Sequence, residues 1–280
     1  GEGSLKMQSL REKSSGQANI NTGRTKDGFK FDGVKSKRRA KRMREEIFEY
    51  RCGDVVCEGY IVYDDKTENK RPGVLVIHEW TGLGDYEKRR SRQLAELGYV
   101  ALAADIYGKG VRAKTTAEAA DLAAKYRSDR AMLRSRASAA LEALKDLPFV
   151  SSSRIAAIGY CFGGGTVLEL ARSGAELNGV VSFHGNLDTQ NSYEAKNIKC
   201  KILVCHGAND PFIPREHVLA FQDEMRNAGV DWQMIFYGGA VHSFTNPASG
   251  NDPSKGAAYN ELADRRSWEA MRAFFAEILS

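Results

Sequence analysis

Short apolar runs alternate with amphipathic segments along most of this 280-residue sequence. Examples of the runs are GVLVIHE, RIAAIGY and LNGVVSFHG, at residues 73–79, 154–160 and 177–185. Strands that are apolar on both faces and alternate with amphipathic helices are typical of a parallel sheet covered by helices on both sides. The sequence therefore predicts an α/β fold with a mainly parallel, doubly wound sheet, in which ligands bind at the carboxyl ends of the strands.

The other predicted elements extend this alternation, and we interpret residues 46–280 as one domain without internal repeats. The domain begins with an antiparallel hairpin around a Gly-Asp turn at residues 53–54. Further strands are predicted at 99–107, 200–206 and 232–237, and helices at 86–98, 116–127, 129–145, 161–174, 215–228 and from about 255 to 279.

The segment GYCFG at residues 159–163 lies between a predicted strand and a predicted helix. It matches a G-x-C-x-G form of the nucleophile elbow, a sharp turn that holds the nucleophile in a strained backbone conformation. Glycine is needed on both sides of Cys161, because a Cβ atom there would collide with the neighbouring strand or helix. The start of the helix would direct its positive end at the sulfur and favour the thiolate. The alternative interpretation is a buried cysteine beside a tight turn.

An acid and a histidine follow the elbow, each placed just after a predicted strand. Asp210 lies in the turn of VCHGANDPFIP, and His242 lies in the glycine-rich loop of FYGGAVHSF. Nucleophile, acid and histidine is the chain order of the α/β-hydrolase triad, so Cys161, Asp210 and His242 are the predicted catalytic residues. The remaining histidines fit the role of the base less well and are expected to be structural or to line a pocket; they are His78, His184, His206 and His217.

The positive charge of the chain is concentrated at its amino-terminal end. Residues 1–45 carry 13 Lys and Arg against 5 Asp and Glu, a net charge of +8, so the rest of the chain carries −3 of the total of +5. The run KSKRRAKR at residues 35–42 could contact nucleic acid or an anionic surface. We favour a disordered or vector-derived leader, because the segment lacks apolar periodicity and is rich in Gly, Ser and Asn. The predicted partners therefore include no nucleic acid.

Neither a membrane span nor a secretory signal is predicted. No uninterrupted apolar run approaches the ~18 residues of a spanning helix, and the first residues, GEGS, form no apolar signal core. The five cysteines are an odd number, which favours reduced thiols and a cytoplasmic location. Cys52, Cys57, Cys200 and Cys205 are expected in or near the core, and no metal site or cofactor is predicted. A monomer and a homodimer are both left open.

Four segments carry a resemblance to a known family: HEWTGLG, AADIYGKG, GYCFGGG and HGANDP with GGAVHSF. Together they make residues 46–280 similar to the dienelactone hydrolase family, the cysteine-nucleophile branch of the α/β-hydrolase fold. The resemblance implies that Glu79 keeps the resting thiol turned away and accepts its proton when substrate arrives. It also implies that the N–H groups of Phe162 and Trp80 form the oxyanion hole. The implied activity is hydrolysis of small esters or lactones through a thioester.

The sequence departs from the family's founding enzymes at two substrate-binding positions. Those enzymes bind the carboxylate of a dienelactone with two arginines, where this chain has Lys109 and Asn246. Since Asn246 carries no charge and Lys109 lacks the bidentate fork, neutral aryl or enol esters are the predicted substrates. The full predicted substrate-binding set is Lys109, Tyr107, Phe212, Ser243, Phe244 and Asn246. The alternatives are an arylesterase that also accepts phosphotriesters, and a non-catalytic scaffold whose basic tail binds nucleic acid.

Overall fold

The structure is a computed structural model, and it describes residues 42–65 and 69–280. The strands are β1 (Met43–Cys52), β2 (Val55–Asp64), β3 (Arg71–Ile77), β4 (Val100–Ala104), β5 (Val150–Tyr160), β6 (Gly179–Phe183), β7 (Lys201–Gly207) and β8 (Trp232–Tyr237). The helices are α1 (Asp85–Glu96), α2 (Thr116–Ser128), α3 (Arg130–Lys145), α4 (Phe162–Arg172), α5 (Arg215–Ala228) and α6 (Glu261–Ile278). Three short 3-10 helices cover Ser192–Asn197, Pro247–Ser249 and Pro253–Lys255.

The strands form one mixed sheet in the order β1-β2-β4-β3-β5-β6-β7-β8. The hairpin of β1 and β2 is antiparallel, and β2 also pairs antiparallel with β4. All pairs from β4 to β8 are parallel. The predicted α/β fold, with a mainly parallel sheet and an antiparallel amino-terminal hairpin, is confirmed.

Helices cover both faces of the sheet, because the apolar strands have no polar face to expose to water. On β3, Leu75 and Ile77 belong to a core cluster that includes side chains of α2 to α5. Their neighbours Val74 and Val76 belong to a second cluster with side chains of α1 and α6. Successive strand residues therefore enter opposite cores, and the parallel strands all end at one edge of the sheet.

Several boundaries differ from the prediction, and two of the differences have a clear local reason. β4 ends at Ala104, because the Asp105 carboxylate accepts hydrogen bonds from the N–H groups of Glu58 (2.9 Å) and Gly108 (3.1 Å) and so turns the chain. α6 begins at Glu261 rather than near residue 255, because the Asn260 side chain caps it at the Ala263 N–H. β1 begins at Met43, three residues before the predicted start of the domain.

Most of the predicted leader, residues 1–41, lies outside the described residues, so its role stays a prediction. Within the described ranges, no helix combines the length and the apolar character that crossing a membrane requires.

Candidate active site

The elbow forms at the junction of β5 and α4. Cys161 has a φ of +54°, a left-handed conformation that is strained for a non-glycine residue. A Cβ atom on Gly163 would lie 2.7 Å from the His78 carbonyl oxygen and closer still to that of Ile77. A Cβ atom on Gly159 would collide with the backbone of Gly163. Both glycines are therefore required by close backbone approach, which is the reason predicted from the sequence.

The structure brings Cys161, His242 and Asp210 into one hydrogen-bonded row. His242 Nε2 lies 3.1 Å from Cys161 Sγ, and His242 Nδ1 lies 2.8 Å from Asp210 Oδ2. Asp210 follows β7 and is fixed by the Phe212 N–H, which donates to its Oδ1 at 2.9 Å. His242 follows β8, and its own backbone is held by Gly256 and Ala258, at 3.1 Å each.

The row favours a charged imidazole. Burial by itself lowers the pKa of His242, but the negative charge of the Cys161 sulfur and the hydrogen bond to Asp210 outweigh it and raise the pKa to about 10. Both interactions favour the imidazolium form of His242. A thiolate beside an imidazolium is the reactive form of a nucleophilic cysteine.

Glu79 follows β3 and faces the same centre. Asn246 Nδ2 donates to Glu79 Oε2 at 2.6 Å, and the Glu79 N–H donates to the Glu87 carboxylate at 3.0 Å. Burial, with a smaller contribution from the Glu87 charge, raises the pKa of Glu79 to about 7, while Asn246, His242 and Ser243 oppose the rise. Glu79 therefore changes its charge in the range where proton transfer is useful.

The Cys161 sulfur faces His242, whereas the resemblance implies a resting thiol that Glu79 keeps turned away. The hydrogen bond between the Cys161 sulfur and His242 Nε2 favours the observed orientation. The candidate oxyanion donors come from two different segments of the chain. The Phe162 N–H is in the first turn of α4, where helix N–H groups lack an intrahelical acceptor, and Trp80 lies in the loop after β3.

A cavity of about 730 Å³ opens over the cysteine, at the carboxyl ends of the strands. Of the predicted residues, it is lined by Glu79, Trp80, Cys161, Phe212, His242, Ser243 and Asn246. The cavity therefore brings together Cys161 and His242 of the hydrogen-bonded row, Glu79 and half of the predicted substrate-binding set. Its size is suited to a small organic molecule.

The structure does not place Lys109, Tyr107 or Phe244 on this lining. Lys109 forms ion pairs with Glu49 and Glu58 on a half-exposed surface, because its backbone N–H is fixed to the Val56 carbonyl of β2. Lys109 therefore lies away from the cavity in this structure, and its contact with substrate stays a prediction.

Tyr107 and Phe244 do not line the cavity but contact residues at or next to the site. The Tyr107 hydroxyl donates to the Trp80 carbonyl at 2.9 Å and so braces the loop that carries one predicted oxyanion donor. Phe244 is fully buried and packs against the rings of His184 and Tyr237, with centroids 5.1 and 5.4 Å apart.

Asn246 does line the cavity, but both ends of its side-chain amide already form hydrogen bonds. Nδ2 donates to Glu79, and Oδ1 accepts from the Ala248 N–H at 3.0 Å.

Arg127 and His184 lie at the site, although no motif in the sequence assigns either residue a role there. Arg127, in the last turn of α2, lines the cavity, and its guanidinium lies 5.9 Å from the centre of the Phe162 ring. His184 is expected from the sequence to be structural or to line a pocket, and in the structure its ring contacts the backbone of Cys161. No spacing rule connects either residue to the elbow, because α2 and β6 reach the site only through the sheet.

The other cysteines lie apart from the catalytic row. Cys57, Cys200 and Cys205 are buried and Cys52 is partly buried, and all are free thiols. Burial raises the pKa of Cys200 and Cys205 to about 12, which makes both thiols unreactive at neutral pH. Across residues 42–65 and 69–280, no three His, Cys, Asp or Glu side chains cluster in a way that could hold a metal ion.

The family model of the dienelactone hydrolase family matches residues 57–279. The chain belongs to this family and is a hydrolase of the ester and lactone class.

Two solved structures and one curated relative illustrate the similarity. The protein named m3DLH is 43% identical, covers 85% of this chain and 99% of its own, and superposes with a TM-score of 0.82. A dienelactone hydrolase-like promiscuous phosphotriesterase from metagenomic libraries is 44% identical over the same shares, with a TM-score of 0.81. A putative carboxymethylenebutenolidase of Aquifex aeolicus is 28% identical over 78% of this chain and 95% of its own length.

Proposed function

We propose that the protein hydrolyses small carboxylic esters or lactones through a Cys161-His242-Asp210 triad and a covalent thioester. The observation that carries this proposal is the position of His242, hydrogen-bonded to the Cys161 sulfur at 3.1 Å and to Asp210 at 2.8 Å. Asp210 orients the imidazole, and the imidazolium keeps the sulfur ionised.

In the first half of the reaction, the Cys161 thiolate attacks the carbonyl carbon, and the carbonyl oxygen becomes an oxyanion. We propose that the N–H groups of Phe162 and Trp80 bind this oxyanion. When the tetrahedral intermediate collapses, the bond to the leaving oxygen breaks, and His242 Nε2 donates its proton to that oxygen. The alcohol or enol departs, and the acyl group remains on Cys161 as a thioester.

In the second half, neutral His242 takes a proton from water as the water attacks the thioester. Collapse of the second intermediate releases the carboxylic acid and restores the thiolate and imidazolium. Glu79 is proposed to accept a proton from any Cys161 that has become a neutral thiol, since its pKa of about 7 permits exchange at neutral pH.

We further propose that neutral aryl or enol esters are the preferred substrates. Lys109 lies outside the cavity, and Asn246 is uncharged and bound to Glu79, so neither supplies a cation for a substrate carboxylate. Three acidic residues, Glu79, Asp85 and Glu87, also line the cavity and offer no cation to a substrate carboxylate. Besides His242, the lining contains, among the described residues, one Arg side chain, that of Arg127, which comes from a different segment than the two positions of the resemblance. Turnover of aryl phosphotriesters is a second candidate activity, favoured by the similarity to the promiscuous phosphotriesterase.

Replacing the nucleophile tests the reaction itself. Cys161→Ala should lower kcat/KM for p-nitrophenyl butyrate by several powers of ten, because no attacking atom remains. Cys52→Ala is the matched control, since it removes another accessible thiol and should keep the wild-type rate. A Cys161→Ala enzyme that keeps more than about a tenth of the wild-type rate would contradict the thioester mechanism.

The substrate preference is tested with a neutral ester, a carboxylated lactone and an aryl phosphotriester. The wild type should prefer the neutral ester, and Asn246→Arg should raise kcat/KM for the carboxylated lactone roughly ten- to a hundredfold, by adding a charge-assisted hydrogen bond. If the wild type prefers the carboxylated lactone and Arg127→Met abolishes that preference, Arg127 binds the anion and the neutral preference is wrong. Phosphotriester turnover no higher than in Cys161→Ala would remove the second activity alone.

A further inference from the structure

His184, the first residue after β6, is completely buried with a φ of +41°. The Cys161 N–H donates to its Nδ1 at 3.2 Å and also to the Phe183 carbonyl at 3.0 Å. Because a donor cannot bind a protonated ring nitrogen, Nδ1 must carry a lone pair. The imidazole of His184 is therefore neutral, with its proton on Nε2.

The second ring nitrogen reaches the loop that carries the catalytic histidine. His184 Nε2 lies 2.7 Å from Thr245 Oγ1, and since Nε2 holds the proton, it donates to the hydroxyl. Thr245 is three residues after His242. Thr245 Oγ1 in turn contacts the Tyr86 hydroxyl at 2.5 Å, and Arg90 Nη2 donates to the Thr245 carbonyl at 2.8 Å. One imidazole thus connects the backbone of the nucleophile to the histidine loop.

The nucleophile elbow and the loop that carries His242, which this connection joins, each contain a strained residue. Cys161 and Ser243 each have a φ of +54°, a conformation that costs about 1–3 kcal/mol and persists only when the surrounding structure holds it. The charged and titratable groups around the His184 ring include His242, Arg90, His206 and Tyr160. Burial and then the charge of His242 hold the pKa of His184 well below its usual range, so Nδ1 stays an acceptor beside the imidazolium. The His184 and His242 rings meet edge to face at 5.5 Å.

We propose that His184 is a positioning residue that holds the His242 loop against the nucleophile elbow through Thr245, and so sets the distance between the Cys161 sulfur and His242 Nε2. His184 acts without touching substrate. The proposal rests on the proposed function in taking Cys161 as the nucleophile. It predicts that breaking either hydrogen bond of the His184 ring weakens the thiolate and imidazolium pair.

Two substitutions break the connection at different points. Thr245→Val removes the hydroxyl at nearly constant volume, and Thr245→Ser retains it. His184→Asn keeps an acceptor near Cys161 but cannot reach Thr245, and asparagine tolerates positive φ better than most residues. Ser173→Ala is the matched control, because it removes a partly buried hydroxyl that donates to the Leu170 carbonyl, at the far end of α4.

The main measurement needs no substrate: the pH dependence of iodoacetamide alkylation, followed at the Cys161 peptide by mass spectrometry. In Thr245→Val and His184→Asn the apparent pKa of alkylation should rise by at least about one unit, because a displaced imidazolium stabilises the thiolate less. We expect kcat/KM to fall roughly ten- to a hundredfold in both, and the double variant to be no worse than either single one. Thr245→Ser and Ser173→Ala should retain the wild-type profile.

A role limited to packing would lower Tm and leave the alkylation profile of Thr245→Val unchanged, and that result would overturn the proposal. Additive losses in the double variant would also overturn it, because the two residues would then act separately. If His184→Asn does not fold, the Thr245 pair decides the question. Failure of the proposed function gives a different result, namely activity that survives in Cys161→Ala.

Discussion

At the scale of single residues, Glu79 and His242 line one cavity, and the pKa of each side chain lies well above its ordinary value. The raised pKa favours the neutral form of Glu79 and the charged form of His242. Burial and the neighbouring Glu87 bring the pKa of Glu79 up to about 7, so the neutral acid persists to neutral pH. The cysteine sulfur and Asp210 bring the pKa of His242 up to about 10, so the cation persists. Pairs of titratable groups with such displaced pKa values are characteristic of acid and base assignments in active sites.

The raised pKa of Glu79 predicts a stability difference that depends on pH. Between the ordinary value of 4.5 and about 7 the folded protein binds the Glu79 proton more tightly than the unfolded chain does. The contribution of this residue to the free energy of unfolding is therefore lost as the pH rises from 4.5 to about 7, by up to about 3 kcal/mol. Glu79→Gln has no charge to bury, so its Tm relative to wild type should rise by several degrees from pH 5 to pH 8.

Thermal unfolding of both proteins at the two pH values measures this difference. Glu216→Gln is the control, because it removes an exposed carboxylate from the first turn of α5 and should show no such trend. A constant difference in Tm between Glu79→Gln and wild type across the range would mean that Glu79 is not held as a neutral acid.

At the scale of elements, the turn from β5 into α4 is limited by how closely two backbones approach. Gly163 packs against the carbonyl groups that end β3, and Gly159 packs against Gly163 itself. Backbone atoms cannot move aside as a flexible side chain can. The elbow therefore depends on the absence of two methyl groups as much as on the presence of the cysteine.

Gly163→Ala should be destabilised by more than about 3 kcal/mol, because its methyl group would overlap the carbonyl oxygens of Ile77 and His78. Gly238→Ala is the control, since nothing lies within 4 Å of the added Cβ atom, and its free energy of unfolding should change by less than about 1 kcal/mol. Urea unfolding of the two variants makes the comparison. Equal stabilities would show that the elbow can relax around a side chain.

At the scale of the whole molecule, β1 belongs to the folded domain and extends before the predicted boundary. The Glu45 carboxylate accepts hydrogen bonds from the Tyr60 hydroxyl at 2.5 Å and from Arg92 at 3.0 Å. Tyr50 is buried, and its hydroxyl donates to the Asp105 carbonyl at 3.0 Å. A truncation that begins at residue 46 would remove the Glu45 contacts, whereas one that begins at residue 42 leaves β1 complete.

If residues 1–41 are the predicted leader, a chain beginning at Arg42 should keep the Tm of the full chain within about 2 °C and keep its kcat/KM. A chain beginning at Gly53 lacks β1 and should lose several degrees of Tm, through the loss of the buried Tyr50 side chain. Loss of activity in the Arg42 chain, or salt-sensitive DNA binding that only the full chain shows, would assign a function to residues 1–41.

The sequence by itself determined those features that depend on neighbours along the chain. Strands apolar on both faces require cover on both sides, so the doubly wound sheet follows from local composition. The glycines around Cys161 mark a turn of four or five residues, and the order of Cys161, Asp210 and His242 follows strand ends that parallel topology brings to one edge. The positions of the catalytic row and of its candidate elbow could be predicted for this reason.

Only the tertiary structure decided which side chains face the cavity. Lys109 follows the right strand, but its backbone is bound to β2, and its ammonium group finds two carboxylates away from the site. Arg127 and His184 reach the centre from α2 and β6, at sequence distances that no motif records. Side-chain direction at the end of a strand depends on loop geometry and on the packing of elements distant in sequence, and residue order along the chain contains neither.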